Sequence, residues 1–263
     1  MKTLLVTVGS TEFDALVRAV LHRDFLSILS SYSSFTAGPT DGIELIVQYG
    51  SSDIGHIIRE AASSGSGSGS GLVDMMPGRT AGELTARFAS AAGQQDDVHL
   101  HLVRYTPDLP SFIQRADVVV AHAGSGTILE VLRSNASTST TTEKKKTAPA
   151  LVVVPNHTLM DDHQSELALA LGRKGYLEVG HLHGRGRGAA SAGPYSPAGG
   201  GAQDADTLAR DAQTLGEQVR QLLLRLGQRQ DGAADDAAAT VLRPFPAWEP
   251  QRFARLVDDR LGF

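Results

Sequence analysis

The sequence predicts an α/β fold with an open parallel sheet and helices on both faces, of the Rossmann-like type. Short β-branched runs recur along the chain, and several are apolar at nearly every position, as strands covered on both sheet faces are. Most runs end in a turn of small or polar residues, and a stretch with apolar residues at helical spacing follows. Strand and helix therefore alternate, which is the pattern of a parallel sheet. The predicted strands are 4–8, 43–48, 98–103, 116–121 and 150–154.

The stretches between these strands supply the predicted helices. They occupy 13–21, 53–61, 110–116, 127–133, a segment that starts near Asp161, and 204–228. The spacing of Leu84 and Phe88 also indicates a helix within 74–93. The long helix at 204–228 carries an apolar stripe, and such a stripe is more often core than interface. The stripe consists of Leu208, Leu215, Val219, Leu222, Leu223 and Leu226.

Composition limits the possible functions. The 263 residues are 41% hydrophobic, which suffices for a substantial core in one large or two small domains. The chain has 24 Lys plus Arg against 29 Asp plus Glu, so its net charge of −5 gives no electrostatic basis for binding nucleic acid or anionic lipid. It lacks cysteine, which excludes disulfide and thiolate chemistry and fits a reducing compartment. The first apolar run is too short for a signal peptide, and no run reaches the roughly twenty apolar residues of a membrane span.

The most informative stretch is the turn Gly124-Ser125-Gly126, which connects a strand to a helical segment. Free backbone N–H groups at a helix start suit a phosphate, and the two glycines let a ligand approach the backbone closely. The hydroxyls of Ser125 and Thr127 add hydrogen-bond donors. Glu130 lies one turn into the helix, where its carboxylate can accept hydrogen bonds from the two hydroxyls of a ribose. Together these residues predict binding of a nucleoside diphosphate.

The turn at Gly124 has alternative interpretations. No Gly-Lys-Ser/Thr follows, so it is not a P-loop, and its spacing and position differ from the dinucleotide fingerprint. Gly-Ser-Gly after a strand is also an ordinary βα turn. A second turn, Gly9-Ser10-Thr11, ends the first strand at the same sheet edge and adds candidate donor-binding residues, although every βα unit needs a turn.

Polar residues also follow the strand at 150–154. Asn156, His163 and Gln164 come from the loop and helix start after that strand, and we expect them to reach the same ligand. The acidic pair Asp161-Asp162 has a structural interpretation, because carboxylates in a first helical turn cap the helix and favour its dipole.

Two histidines alternate along the strand at 98–103. His99 and His101 are spaced as metal ligands can be, but no third ligand accompanies them at zinc spacing. An exposed strand face is therefore the favoured interpretation.

Three low-complexity insertions, at about 63–71, 134–147 and 184–201, interrupt the predicted domain. That domain spans 1–228, and a linker at 229–247 leads to a C-terminal amphipathic helix at 248–263. The helix is expected either to fold back on the domain or to dock into a partner. Its apolar residues are Phe253, Leu256, Val257 and Leu261.

A set of motifs, in this order, resembles one protein family. The motifs are Val6-Thr7-Val8-Gly9-Ser10-Thr11, His122 to Glu130, Val153-Val154-Pro155-Asn156, Asp162 to Ala168, and the closing helix. They resemble the cytosolic catalytic subunit of the two-subunit UDP-N-acetylglucosamine transferase, which adds the second GlcNAc to GlcNAc-diphosphate-dolichol. The resemblance covers most of the chain outside the insertions.

The resemblance implies a fold equivalent to the C-terminal, donor-binding half of a B-type glycosyltransferase. It implies that Ser125, Gly126 and Thr127 hold the UDP diphosphate and that Glu130 holds the ribose. Asn156, His163 and Gln164 would contact the diphosphate or the sugar, and those roles follow from the resemblance.

The resemblance also implies a partner. A B-type enzyme places its active site between two halves, and this chain supplies only the donor half. The acceptor half would be a membrane-anchored subunit that recruits this cytoplasmic chain to the cytosolic face of the endoplasmic reticulum. In the resembled family the C-terminal helix helps to hold that partner, so Phe253, Leu256, Val257 and Leu261 are the docking candidates.

The expected reaction is attack by the acceptor GlcNAc 4-hydroxyl on the anomeric carbon of UDP-GlcNAc, with inversion. Backbone N–H groups at the glycine turn would stabilise the UDP leaving group. No metal-binding Asp-x-Asp is evident, so no cofactor or metal is expected. The general base is either His122 or a residue of the partner, and His122 has the alternative role of orienting the turn. A non-catalytic nucleotide-binding or scaffolding subunit is the alternative function, and a transferase that acts alone is a further one.

Overall fold

The computed structural model describes residues 1–33, 42–63, 71–78, 81–89, 98–134, 149–156, 163–183, 205–230 and 242–243. Within these residues the strands are β1 (Lys2–Thr7), β2 (Ile43–Gln48), β3 (Gly71–Pro77), β4 (Leu84–Ala89), β5 (Val98–Val103), β6 (Val118–His122), β7 (Ala150–Val154) and β8 (Glu178–Val179). The helices are α1 (Asp14–Leu21), α2 (Arg23–Ser33), α3 (Ile54–Ser63), α4 (Leu109–Arg115), α5 (Ser125–Ser134), α6 (His163–Arg173) and α7 (Ala205–Gln230).

The described strands form one sheet in the order β3-β4-β5-β2-β1-β6-β7-β8. Every neighbouring pair from β5 to β8 is parallel. The strands β1, β6 and β7 are almost wholly buried, as their continuous apolar sequences predict. The predicted class, an open α/β sheet of the Rossmann-like type, is confirmed.

Apolar side chains pack on both faces of this sheet. Leu4 and Val6 of β1 point into one core with α1, α2 and α7, whereas Leu5 points into the other with α4 and α5. All six residues of the apolar stripe on α7 are buried in the first core. The prediction that this stripe is core is therefore confirmed.

The prediction of a helix within 74–93 is wrong. The described residues there form β3 and β4, an antiparallel hairpin that extends the sheet through β5. Ala86 and Phe88 are buried and alternate with more exposed neighbours, which is the period of a strand. Leu84 and Phe88 are spaced four residues apart, which suits either structure, so two apolar positions were too few to distinguish them.

Helix α2 directly follows α1 and was not predicted as a separate element.

The predicted insertions lie almost wholly outside the described residues, at 63–71, 134–147 and 184–201. The same holds for the linker at 229–247 and for the helix at 248–263, although α7 extends to Gln230. None of the helices in the described part of the chain is long and apolar enough to cross a membrane.

Candidate nucleotide-binding site

The candidate site lies where the strand order of the sheet reverses. From β1 the chain proceeds to β2 on one side, and β6 lies on the other side of β1. Thr7 pairs with Ala121, so the turns that begin at Gly9 and Gly124 leave neighbouring strands at the same edge. In open α/β sheets, the crevice at the carboxyl ends of such strands is where ligands bind.

The start of α5 leaves backbone donors open at this crevice. Gly124 accepts the first hydrogen bond of the helix, from the N–H of Ile128 at 3.1 Å. The N–H groups of Ser125, Gly126 and Thr127 have no hydrogen-bond partner among the described residues. A Cβ at Gly126 would meet no described atom within 4 Å, so the space beside this residue is open. Such a helix start has the geometry of an anion site.

Polar side chains around this helix start also have free capacity. The hydroxyls of Ser125 and Thr127 and the carboxylate of Glu130 form no hydrogen bond or ion pair with any described residue. Ser125 is exposed, and Thr127 and Glu130 are half-buried. The first turn of α5 contains no acidic residue, so no carboxylate of that turn occupies the position that the helix dipole offers to an anion.

The imidazole of His122 fills the space between the two glycine turns. A Cβ on Gly9 would lie 2.7 Å from the Cε1 of His122, and a Cβ on Gly124 would overlap the Nε2. Gly9 also has a φ of +66°, a conformation that favours glycine. Only glycine at both positions lets the ring pack against both turns.

His122 is 8% exposed, and its Nδ1 has no hydrogen-bond partner among the described residues. Burial lowers the pKa of His122 below its ordinary value, and the backbone of Thr7 acts in the opposite direction. A neutral imidazole at this position has one nitrogen that can accept a proton and one N–H that can donate a hydrogen bond. Its packing against both turns fits the loop-orienting role, and the role of general base stays a prediction.

The turn after β1 is stabilised by the side chain of one of its own residues, Thr11. Thr11 donates its hydroxyl to the Val8 carbonyl at 2.8 Å. The Ser10 carbonyl accepts the hydroxyl of Ser51 at 3.2 Å, whereas the exposed Ser10 hydroxyl has no partner among the described residues. Of the two hydroxyls in this turn, that of Ser10 is the one open to a ligand.

Asn156 and Gln164 lie close to the loop after β1, and their contact with a ligand stays a prediction. Asn156 is 3% exposed and donates its Nδ2 to the Glu12 carbonyl at 3.4 Å, which connects the loop after β7 to the loop after β1. Gln164 accepts the N–H of Asn156 at 3.2 Å, and its Nε2 has no partner among the described residues. His163 begins α6, and its side chain lies outside the described part.

The same edge of the sheet contains further residues that were not predicted from the sequence. Gln48 ends β2 at 4% exposure and contacts the Gly9 turn. Gly50 has a φ of +60°, and a Cβ there would lie 2.6 Å from the Thr11 carbonyl. Ser51 hydrogen-bonds to the hydroxyl of Tyr105 at 2.9 Å. The one signal for Gln48 in the sequence was a polar residue at the end of an apolar strand.

Two other predicted features lie elsewhere. His99 is exposed, and the Nε2 of His101 forms a hydrogen bond of 2.6 Å with the Glu83 carboxylate. The docking candidates Phe253, Leu256, Val257 and Leu261 lie outside the described residues.

A model of the glycosyltransferase family 28 C-terminal domain matches residues 81–180, a segment that contains the Gly124 turn and α6. This match covers less than half of the chain, and together with the fold it indicates a glycosyltransferase domain as the class of protein.

Particular relatives narrow this class. UDP-N-acetylglucosamine transferase subunit ALG13 of Cryptococcus neoformans is 36% identical over 183 residues, which cover 67% of this chain and 76% of the relative. The mouse protein of the same name is 32% identical over 177 residues, covering 67% of this chain and 10% of the mouse protein. A solution structure of ALG13 is 21% identical with a TM-score of 0.48, covering 97% of this chain and 94% of that one. The chain belongs to the ALG13 family of UDP-N-acetylglucosamine transferase subunits.

Proposed function

We propose that this chain is the donor-binding subunit of an enzyme that transfers GlcNAc from UDP-GlcNAc to GlcNAc-diphosphate-dolichol. Family membership supports the donor and the class of reaction. The single structural observation that carries the proposal is the open start of α5. Three of its N–H groups have no partner in the described part of the chain, and they lie at the edge where the strand order of the sheet reverses.

In the proposed reaction the acceptor 4-hydroxyl attacks the anomeric carbon, and the bond from that carbon to the UDP oxygen breaks with inversion. The N–H groups of Ser125, Gly126 and Thr127 stabilise the negative charge that develops on the diphosphate. Glu130 accepts hydrogen bonds from the ribose hydroxyls, and Gln164 offers its free Nε2 to the diphosphate or the sugar. The proton of the attacking hydroxyl goes to His122 or to a base on the partner.

No metal is needed in this proposal, because the helix start supplies the stabilisation that a divalent ion gives in other transferases. Transfer in the presence of excess EDTA is expected to match transfer in added Mg²⁺. Loss of activity in EDTA that Mg²⁺ restores would contradict this part of the proposal.

The acceptor half is proposed to be a separate membrane-anchored subunit. The relatives are named as subunits, which supports a partner of some kind. We further propose that the partner recruits this chain from the cytoplasm to the cytosolic face of the endoplasmic reticulum membrane. Fractionation with and without the co-expressed partner tests this, because the chain is expected in the membrane fraction only when the partner is present.

Gly126→Val tests the donor site. A valine side chain at this exposed position blocks the approach of a diphosphate to the helix start, and because its Cβ would meet no described atom within 4 Å, the domain is expected to fold. Affinity for UDP, measured by calorimetry, should fall at least tenfold, and transfer with the partner should be lost.

Gly55→Val is the matched control. Gly55 is likewise the second residue of a helix and exposed, but Asp53 already accepts the N–H of His56 in that first turn, at 3.0 Å. UDP affinity of this variant should remain within about twofold of wild type, since α3 offers no open anion site. Near-normal transfer by Gly126→Val would overturn the site. A wild-type chain that binds neither UDP nor UDP-GlcNAc would instead favour the scaffolding alternative.

A further inference from the structure

Gln48 uses its whole hydrogen-bonding capacity to hold the turn after β1. Its Oε1 accepts the Gly9 N–H at 3.0 Å and the Thr7 hydroxyl at 2.6 Å. Its Nε2 donates to the Gly9 carbonyl at 2.6 Å and to the Arg104 carbonyl at 2.9 Å. A primary amide has two donor hydrogens and two acceptor positions, so Gln48 has none left for a ligand.

This arrangement also determines how the amide is oriented. A rotated amide would place its NH₂ against the Gly9 N–H and its oxygen against the carbonyls of Gly9 and Arg104, so three of these hydrogen bonds would be lost. Because Gln48 is 4% exposed, water cannot take the place of the hydrogen bonds that its side chain forms.

The hold of Gln48 on Gly9 also affects the Gly124 turn, because side chains between the two turns are packed together. Because both the N–H and the carbonyl of Gly9 are bound by one side chain, its peptide groups are held in the conformation with a φ of +66°. That conformation presents the bare Cα of Gly9 to the ring of His122, and the Cε1–Nε2 edge of the same ring also packs at Gly124. Gln48, Gly9, His122 and Gly124 thus form a continuous chain of contacts from β2 to the start of α5.

We propose that Gln48 is a positioning residue for the nucleotide site, holding the Gly9 turn so that His122 and Gly124 present the start of α5 to the diphosphate. The inference rests on the proposed function of that helix start. Gln48 acts without touching the ligand, and its effect is transmitted through Gly9 and the imidazole. Gln48 also donates a hydrogen bond to the Arg104 carbonyl, just after β5, so one side chain connects the ends of β1, β2 and β5.

Two variants of the full chain test this, with UDP as the probe. Gln48→Glu keeps the size of the side chain but replaces the donor with a carboxylate beside two carbonyl oxygens. Thr7→Val removes one hydrogen bond to the Oε1 while preserving side-chain shape, and it protects the test against a variant that does not fold. At pH 8 we expect UDP affinity to fall at least tenfold in Gln48→Glu, which loses the donor to two carbonyls, and about threefold in Thr7→Val, which keeps that donor.

Tyr32→Phe is the control. Tyr32 is 1% exposed and donates a buried hydrogen bond to the Leu223 carbonyl at 3.4 Å, on helices away from the strand ends. This variant should lose stability without losing UDP affinity. All affinities are measured well below the lowest melting temperature, so a general loss of stability does not change the result.

The pH dependence of Gln48→Glu separates positioning from a structural role. Burial and the neighbouring carbonyls favour the protonated carboxyl group, which can donate to one of them again. The affinity gap to wild type should therefore narrow several-fold between pH 8 and pH 5.5. In an NMR titration of the same variant, the pKa of His122 should lie closer to its ordinary value than in wild type, because a displaced ring is less buried and the new carboxylate favours the charged ring.

Wild-type UDP affinity in both folded variants, or an unchanged His122 titration in Gln48→Glu, would overturn the role of Gln48. Failure of the wild-type chain to bind UDP would instead overturn the proposed function on which the inference rests.

Discussion

The His122 ring, held between two glycines, makes the stability of the domain depend on pH. Its pKa in the folded chain lies below the value of about 6.5 in the unfolded chain, because burial disfavours the charged ring. The unfolded state therefore binds a proton more readily as pH falls. The contribution to stability is complete above pH 6.5 and is lost as pH falls from there toward the folded pKa.

Substitution of His122 is expected to reduce this pH dependence. Urea unfolding of wild type at pH 8 and pH 5.5 should show lower stability at pH 5.5, and His122→Gln should show a smaller difference. His22 acts in the same pH range, because burial lowers its pKa and Asp24 only partly offsets this. The double variant with His22→Gln should therefore show the smallest difference. An undiminished pH dependence in both variants would mean that the ring is not buried as described.

At the scale of elements, the start of α5 predicts opposite effects on stability and binding. Ser125→Asp adds a carboxylate to a first turn that has no acidic residue, and the helix dipole should raise the free energy of unfolding by about 0.3–1 kcal/mol. The same charge repels a diphosphate, so UDP affinity should fall. Ser125→Asn serves as the uncharged control. If urea unfolding and calorimetry show both quantities moving together, the helix start is not the anion site.

The β3–β4 hairpin predicts a contrast between two of its residues. Phe88 is 1% exposed in the first core, and Phe88→Ala should lower the free energy of unfolding by about 3–5 kcal/mol. Met76 is 62% exposed on the edge strand, and Met76→Ala should change it by no more than about 0.5 kcal/mol. Equal effects in urea unfolding would argue against the hairpin and for another packing of this segment.

At the scale of the whole molecule, the proposed division into two subunits can be tested at the C-terminus. Deletion of 250–263 removes the four apolar docking candidates while leaving every described residue in place. Co-purification with the membrane-anchored partner should be lost, whereas the deleted chain alone should still bind UDP with wild-type affinity. Unaltered co-purification would contradict the docking role.

Much of this molecule was predictable because its signals are local. The turn from Gly124 to Thr127 and Glu130 lies within seven consecutive residues, so helix geometry alone brings its polar groups to one place. Gly9 and Asn156 were also expected at the site, since they follow strands of the same parallel sheet. Their partners were not expected, because neither the packing of His122 on Gly9 nor the hydrogen bond from Asn156 to Glu12 is written in any single segment.

The hairpin was not predicted for a related reason. Its described strands follow the Ser-Gly tract, and the apolar residues of β4 are few enough to fit either a helix or a strand. Pairing with β5 decided the matter, because β5 leaves one edge of the parallel sheet open and β4 supplies hydrogen bonds to it.

By itself, the sequence determined the alternation of strands and helices, the apolar faces that make two cores, and the helix start with open N–H groups, since periodicity and neighbouring residues encode all three. Only the tertiary structure decided that Gln48, Gly9 and His122 act as one unit. Gln48 and Gly9 are 39 residues apart in the chain, and they meet because β2 lies beside β1 while β6 lies on the other side. Strand order depends on the free energy of the whole packed sheet, and no local pattern carries that information.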